Sequence, residues 1–108
     1  MIYELRIYNA IPGKLPEVVA RFRDHTNRLF AKHGFKPVGY WTNLIGPSNQ
    51  QLIYLLEWRD MAHLEQAWAA FKADPEWLAV RAETEKNGPI VENVASSVLQ
   101  PTDYSPMK

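Results

Sequence analysis

His25, Tyr54, Trp58, Trp41 and Asn43 are the residues of this 108-residue chain whose types suit small-molecule chemistry. An imidazole titrates near neutral pH, so His25, at the margin of an apolar helical stripe, suits a base or a ligand donor. Tyr40, Trp41, Asn43, Tyr54 and Trp58 form an aromatic and polar cluster across two predicted strands. Their phenol, indole N–H and amide groups can orient a flat aromatic or acyl ligand held between a sheet and its helices. Tyr40 and Trp41 are adjacent and point to opposite faces of a strand, so at most one lines such a pocket. His25 and Tyr54 are the candidate catalytic residues. Trp41, Asn43, Tyr54, Trp58 and His25 are the candidate ligand-binding set. The same aromatics equally suit core and interface packing, which would make the chain a non-catalytic assembly module.

Composition removes most named chemistries. There is no Cys, hence no thiol nucleophile, disulfide or thiolate-held metal. The three histidines, His25, His33 and His63, lack the spacing of a metal site, and no carboxylate triad accompanies them, so no metal is expected. A lone histidine as a haem ligand stays open, but nothing else in the chain supports it, and no cofactor is expected. The glycines are isolated and build no phosphate-binding loop, and no serine sits in a nucleophile elbow. Twelve basic residues balance twelve acidic ones, leaving no net charge to attract nucleic acid or an anionic membrane. No apolar run approaches the roughly 20 residues that span a bilayer. The first residues lack a basic and apolar leader, and a cytoplasmic location is expected.

The elements that must position these residues follow from periodicity. Residues 2–9 alternate as a strand, with Tyr3, Leu5 and Ile7 on one face and Glu4, Arg6 and Tyr8 on the other. Pro12 and Gly13 turn the chain into a helix starting near Leu15, with Val18, Val19, Phe22, Leu29 and Phe30 as its apolar stripe. Pro16 is tolerable only in a first turn, and Gly34 suits a left-handed cap at the far end. Residues 35–45 read as a second strand, 46–49 as a hairpin turn, and 52–59 as a third strand. Asp60 caps a second helix carrying Met61, Leu64, Trp68 and Phe71, which restarts at Asp74 and Pro75 and runs to about Asn87. Residues 90–99 form a fourth strand before a polar tail. Residues 1–108 are expected to form one domain.

This order of strand, helix, strand, strand, helix, strand predicts an α+β, ferredoxin-like βαββαβ fold. It has a four-stranded antiparallel sheet in the order 4-1-3-2. Strands one and three are then neighbours. Placing Glu4 opposite Arg59 puts Arg6 opposite Glu57, two opposite-charge pairs from one register. In that register Leu5, Ile7, Leu56 and Trp58 face the helices. Glu4, Arg6, Tyr8, Ile53, Leu55, Glu57 and Arg59 occupy the uncovered face. A second copy packed on that face would pair the charges in dry surroundings, so a homodimer built on Tyr8, Ile53 and Leu55 is expected. The same four charges also suit an anion or acid–base site there. The tail from Pro101 to Pro106, which holds Tyr104 between two prolines, is expected to wrap the partner or seal the barrel's edge.

Several pieces of the chain occur together in the order of a known family. They are residues 2–8 with Pro12, Gly13 and Lys14; Gly39, Tyr40 and Trp41 leading to Gly46; residues 55–59; Asp74 to Trp77; and residues 99–106. On these the chain resembles the NIPSNAP family of the dimeric α+β barrel superfamily. The resemblance implies a ferredoxin-like fold and a small soluble homodimer whose two sheets form one barrel. It names no reaction. Related barrel families include cofactor-independent monooxygenases, haem-degrading enzymes and lactone isomerases, and extending those activities here is analogy of fold. The readings carried forward are a binder of a small aromatic or acyl molecule, a monooxygenase-like or isomerase-like enzyme, and a structural module.

Overall fold

The computed structural model describes residues 1–108. Strand β1 (Ile2–Ala10) leads into helix α1 (Leu15–Arg21), a π-helical turn (Phe22–Thr26) and helix α2 (Asn27–Lys32). Then follow β2 (Lys36–Thr42), β3 (Gln51–Trp58), α3 (Met61–Ala73), α4 (Pro75–Thr84) and β4 (Val91–Leu99). The sheet is antiparallel in the order β2-β3-β1-β4, the ferredoxin-like order expected from the sequence.

Local signals set the element ends. Pro16 lies in the first turn of α1, and Gly34, at φ 77°, turns the chain after α2. Asp60 accepts a hydrogen bond from the His63 N–H at 2.8 Å and caps α3. Asp74 does the same for the Glu76 N–H at 2.8 Å, and Pro75 follows it as the first residue of α4. α4 ends at Thr84, earlier than expected, and β2 closes at Thr42, so residues 43–45 belong to the hairpin loop.

Between Arg21 and Asn27 the first helix widens, the Asn27 N–H bonding to the Phe22 carbonyl. Buried Val18, Phe22, Thr26 and Phe30 advance in fours. In a regular helix such a stripe drifts by about 40° per step, since 3.6 residues make a turn. One wider turn takes back part of that drift and keeps all four residues against the sheet.

The β1–β3 register differs from the expected one. Glu4 lies opposite Leu56, not Arg59, and Arg6 lies opposite Tyr54, not Glu57. The slip is odd, so it turns every β1 side chain to the other face. Glu4, Arg6 and Tyr8 point to the helices with Leu52, Tyr54, Leu56 and Trp58. Tyr3, Leu5 and Ile7 share the helix-free face with Ile53, Leu55 and Glu57. The expected charge pairs are absent because both acids have other partners. Glu57 is opposite Lys36 on β2, with Nζ at 2.7 Å, and also accepts from the Tyr3 hydroxyl at 3.3 Å. Lys36 holds its carboxyl below the usual range. Glu4 is taken by α3, as described below, and Arg59 is exposed beyond the end of β3.

The core joins the rod of α1 and α2 to β3 and α3. Trp58, Tyr54, Phe30, Leu29, Leu56 and Val18 are fully buried. Phe35 stacks on Phe30 with ring centres 4.3 Å apart, and meets Trp58 and Trp68 edge-on at 4.8 Å. β4 is left at the margin: Val94 and Val98, which pair with Tyr8 and Glu4, remain exposed on the helix side. The helical layer stops short of the sheet edge, and a cleft opens there.

Candidate functional site

Glu4, Arg6 and Tyr8 sit at alternate positions of β1, so one face presents an acid, a guanidinium and a phenol in a row. Glu4 is only 4% exposed. Its Oε1 accepts the indole N–H groups of Trp58 at 3.0 Å and Trp68 at 2.8 Å. Its Oε2 accepts from the Ser96 hydroxyl at 3.0 Å and from Arg6 at a longer 3.5 Å. Three elements therefore converge on one buried carboxylate. Four donors satisfy a charge that burial alone would make costly.

Arg6 is fixed on two sides. Its Nε donates to the Tyr54 hydroxyl at 3.2 Å and one terminal nitrogen to the Tyr8 hydroxyl at 3.2 Å. Its guanidinium lies 4.4 Å from the centre of the Trp68 ring, a cation–π distance. Five N–H groups are available to a guanidinium, and these bonds with the one to Glu4 use three. One N–H on each terminal nitrogen remains uncommitted. Burial works against its charge, but the phenols of Tyr54 and Tyr8 outweigh that, and Arg6 holds its proton more tightly than usual.

Tyr54 is sealed, with 0% exposure, and its hydroxyl donates to the Tyr8 oxygen at 3.1 Å. Burial, then the neighbouring Tyr8, push the Tyr54 phenol well above its usual range, against the pull of Arg6. Tyr40, farther along the same face, is pushed up to about 12 by burial and Tyr8. Both stay protonated phenols at neutral pH, donors rather than bases.

Two hollows flank Arg6, Trp68 and Lys72. One, of about 470 Å³, adds Glu4, Leu64, Glu65 and Ala69. The other, of about 440 Å³, runs between α3–α4 and the open edge of β4. Its walls carry four cations, Arg6, Arg21, Lys72 and Arg81, against two acids, Glu85 and Glu92, with Tyr8, Trp68, Phe71 and Trp77 as aromatic surface. Arg21 is buried, reaches Glu85 at 3.0 Å and lies 5.2 Å from the Trp77 ring. The cleft thus combines aromatic walls with excess positive charge, suited to a planar anion.

The residues singled out from the sequence divide. Tyr54 and Trp58 meet in this network, both in its sealed layer, one hydrogen bond behind Tyr8 and Glu4. His25 lies in the π turn and lines a separate hollow of about 190 Å³ with Glu17, Asp24 and Thr84. Trp41 is 51% exposed on the helix-free face, opposite Ile53, its ring over Gly39. Asn43 braces the hairpin loop, donating to the Ser48 carbonyl and the Gln51 side chain at 2.7 Å each. A smaller hollow of about 200 Å³ between Phe22, Tyr40 and Leu52 is mainly apolar. Tyr8, Lys72 and Trp77 were not among the candidates. The spacing of Glu4, Arg6 and Tyr8 was visible, but its direction depended on the register.

A structure of a NIPSNAP family protein from Agrobacterium tumefaciens superposes with TM-score 0.86 at 26% identity, covering 99% of this chain and 98% of that one. An uncharacterized NIPSNAP domain protein from Burkholderia xenovorans gives 0.83 at 24% identity, covering 98% and 99%. A putative antibiotic biosynthesis monooxygenase from Nitrosomonas europaea gives 0.64 at 11% identity over 94% and 98%, a likeness of fold alone. No curated protein matches the chain in sequence. The NIPSNAP family model matches residues 3–106, nearly the whole length, and the chain therefore belongs to the NIPSNAP family.

Proposed function

We propose that this protein binds a small anionic aromatic or acyl molecule in the cleft between its sheet and α3–α4. The observation that carries this reading is Arg6. Its side chain is 18% exposed, rigidly held, and keeps two N–H groups uncommitted at the cleft wall. A carboxylate suits such a pair, and Trp68, Phe71 and Trp77 offer faces to the ligand's apolar body. The excess of cations over acids favours the same charge. In calorimetric titrations with benzoate as probe, Arg6→Lys keeps the charge but loses the fork. It should bind about tenfold more weakly than the unaltered protein. Equal affinity in the two proteins, or no binding by either, refutes the reading.

A second copy of the chain is the proposed partner. The helix-free face carries Tyr3, Leu5, Ile7, Ile53 and Leu55, with Trp41 and Leu99 half exposed beside them. This corrected face replaces the one that included Tyr8. Apolar residues without a covering helix favour burial against another sheet. Pro101, Thr102, Ser105 and Met107 border a hollow with Tyr3 and Leu55, so the tail runs along the rim of this face. Tyr104 itself is 84% exposed in the single chain, free to reach a partner copy. Sedimentation at micromolar concentration should give a dimer, and monomer alone refutes this.

A further inference from the structure

We propose that Tyr8 is the donor of an oxyanion site in this cleft, and that the ligand class includes phenols and enols bound in their ionised form. The inference rests on the cleft being the ligand site and adds a second recognition element to Arg6.

It follows from counting hydrogens. A phenol has one proton to donate and two lone pairs to accept with. Tyr54 is sealed, and its only acceptor within reach is the Tyr8 oxygen, so its proton goes there. Arg6 has no acceptor capacity and donates to the same oxygen. The Tyr8 oxygen thus accepts twice, once from a cation. Its own proton has no partner in the chain, and Tyr8 lines the cleft beside Arg6. Accepting two hydrogen bonds polarises an O–H and strengthens it as a donor. Its ring is held edge-on by Phe22 at 5.3 Å, so little reorganisation is needed when an anion arrives.

The charges around the cleft support an oxygen anion. Arg6, Arg21, Lys72 and Arg81 outnumber Glu85 and Glu92. No bond to carbon changes in this step. The ligand's O–H ionises, its proton leaves to the buffer, and the negative oxygen accepts the Tyr8 hydrogen bond.

The probe is 4-nitrophenol, whose anion absorbs at longer wavelength than its neutral form. At a pH where the free compound is mostly neutral, the unaltered protein should bring up the phenolate band and release a proton on binding. Tyr8→Phe, which keeps the ring and its packing, should bind the phenolate about tenfold more weakly, the loss of one hydrogen bond to a charged oxygen. Benzoate affinity should fall by clearly less than phenolate affinity, because Arg6 loses Tyr8 but keeps its bonds to Tyr54 and Glu4. Tyr54→Phe, altering a residue the ligand does not touch, should give an intermediate loss through Tyr8. Near-UV circular dichroism checks that both variants fold, and if Tyr8→Phe does not, Tyr54→Phe alone decides. Benzoate bound normally with no phenolate band, or with phenolate affinity unaffected by either substitution, overturns this inference and leaves the Arg6 reading standing. If neither probe binds, both fall.

Discussion

Replacing Glu4 with glutamine should lower stability while tightening anion binding, two effects of opposite sign from one buried charge. The amide is nearly isosteric and its oxygen can still accept both indole N–H groups. Those bonds become neutral, roughly halving their strength, at a cost of about 0.5–1 kcal/mol each. The amide nitrogen then faces a terminal nitrogen of Arg6, donor against donor, and the guanidinium loses its internal anion at 3.5 Å. With that side chain 18% exposed, screening limits the loss to about 1–2 kcal/mol. Ser96 can rotate its hydroxyl to accept, which removes most of its share. The sum is a destabilisation of about 2–4 kcal/mol. Glu4→Ala should cost more, about 4–6 kcal/mol, because it strands the N–H of Trp58, fully buried, and of Trp68, nearly so. Urea unfolding followed by tryptophan fluorescence reads both as lowered midpoints at unchanged slope. Benzoate titration of Glu4→Gln should show tighter binding, since Arg6 then has no competing carboxylate. A glutamine variant within about 0.5 kcal/mol of the parent, or weaker for benzoate, would refute the account of Glu4 as a charged organiser of Arg6.

Asp74 joins α2 to the α3–α4 junction, accepting from Lys32 at 2.8 Å and His33 at 2.7 Å, and its carboxyl is held well below the usual range by these two and by the Glu76 N–H. A depressed folded value contributes stability above the unfolded pKa, near 4, and loses it as pH falls further. The midpoint of unfolding should therefore drop below about pH 4, and Asp74→Asn should flatten that acid limb; an unchanged limb would count against the junction's role. Arg59→Ala should change stability by less than about 0.5 kcal/mol in the same urea assay, since Arg59 is exposed and makes no ion pair. A loss near 3 kcal/mol would restore the register in which it pairs with Glu4.

Much of the architecture was legible because it is local. Asp60 and Asp74 cap the helices that follow them, Pro75 and Gly34 mark a start and a stop, and β3 alternates buried and half-buried residues along its whole length. From such signals the element order and the sheet order follow with no knowledge of side-chain contacts. The facing of β1 could not be read this way. Its more apolar face, Tyr3, Leu5 and Ile7, is the one without helices, so alternation by itself points the wrong way. Opposite-charge pairing across β1 and β3 chose wrongly because it considered only those two strands. Lys36 on β2 competes for Glu57, and Trp68, on a helix more than sixty residues from Glu4, competes for Glu4. The candidate cleft depends on that choice, since only the observed facing turns Arg6 and Tyr8 toward the helices. The residue types were written in the chain. Their meeting was decided by tertiary packing, because a buried carboxylate settles where the most donors converge, and those donors come from three elements besides its own strand.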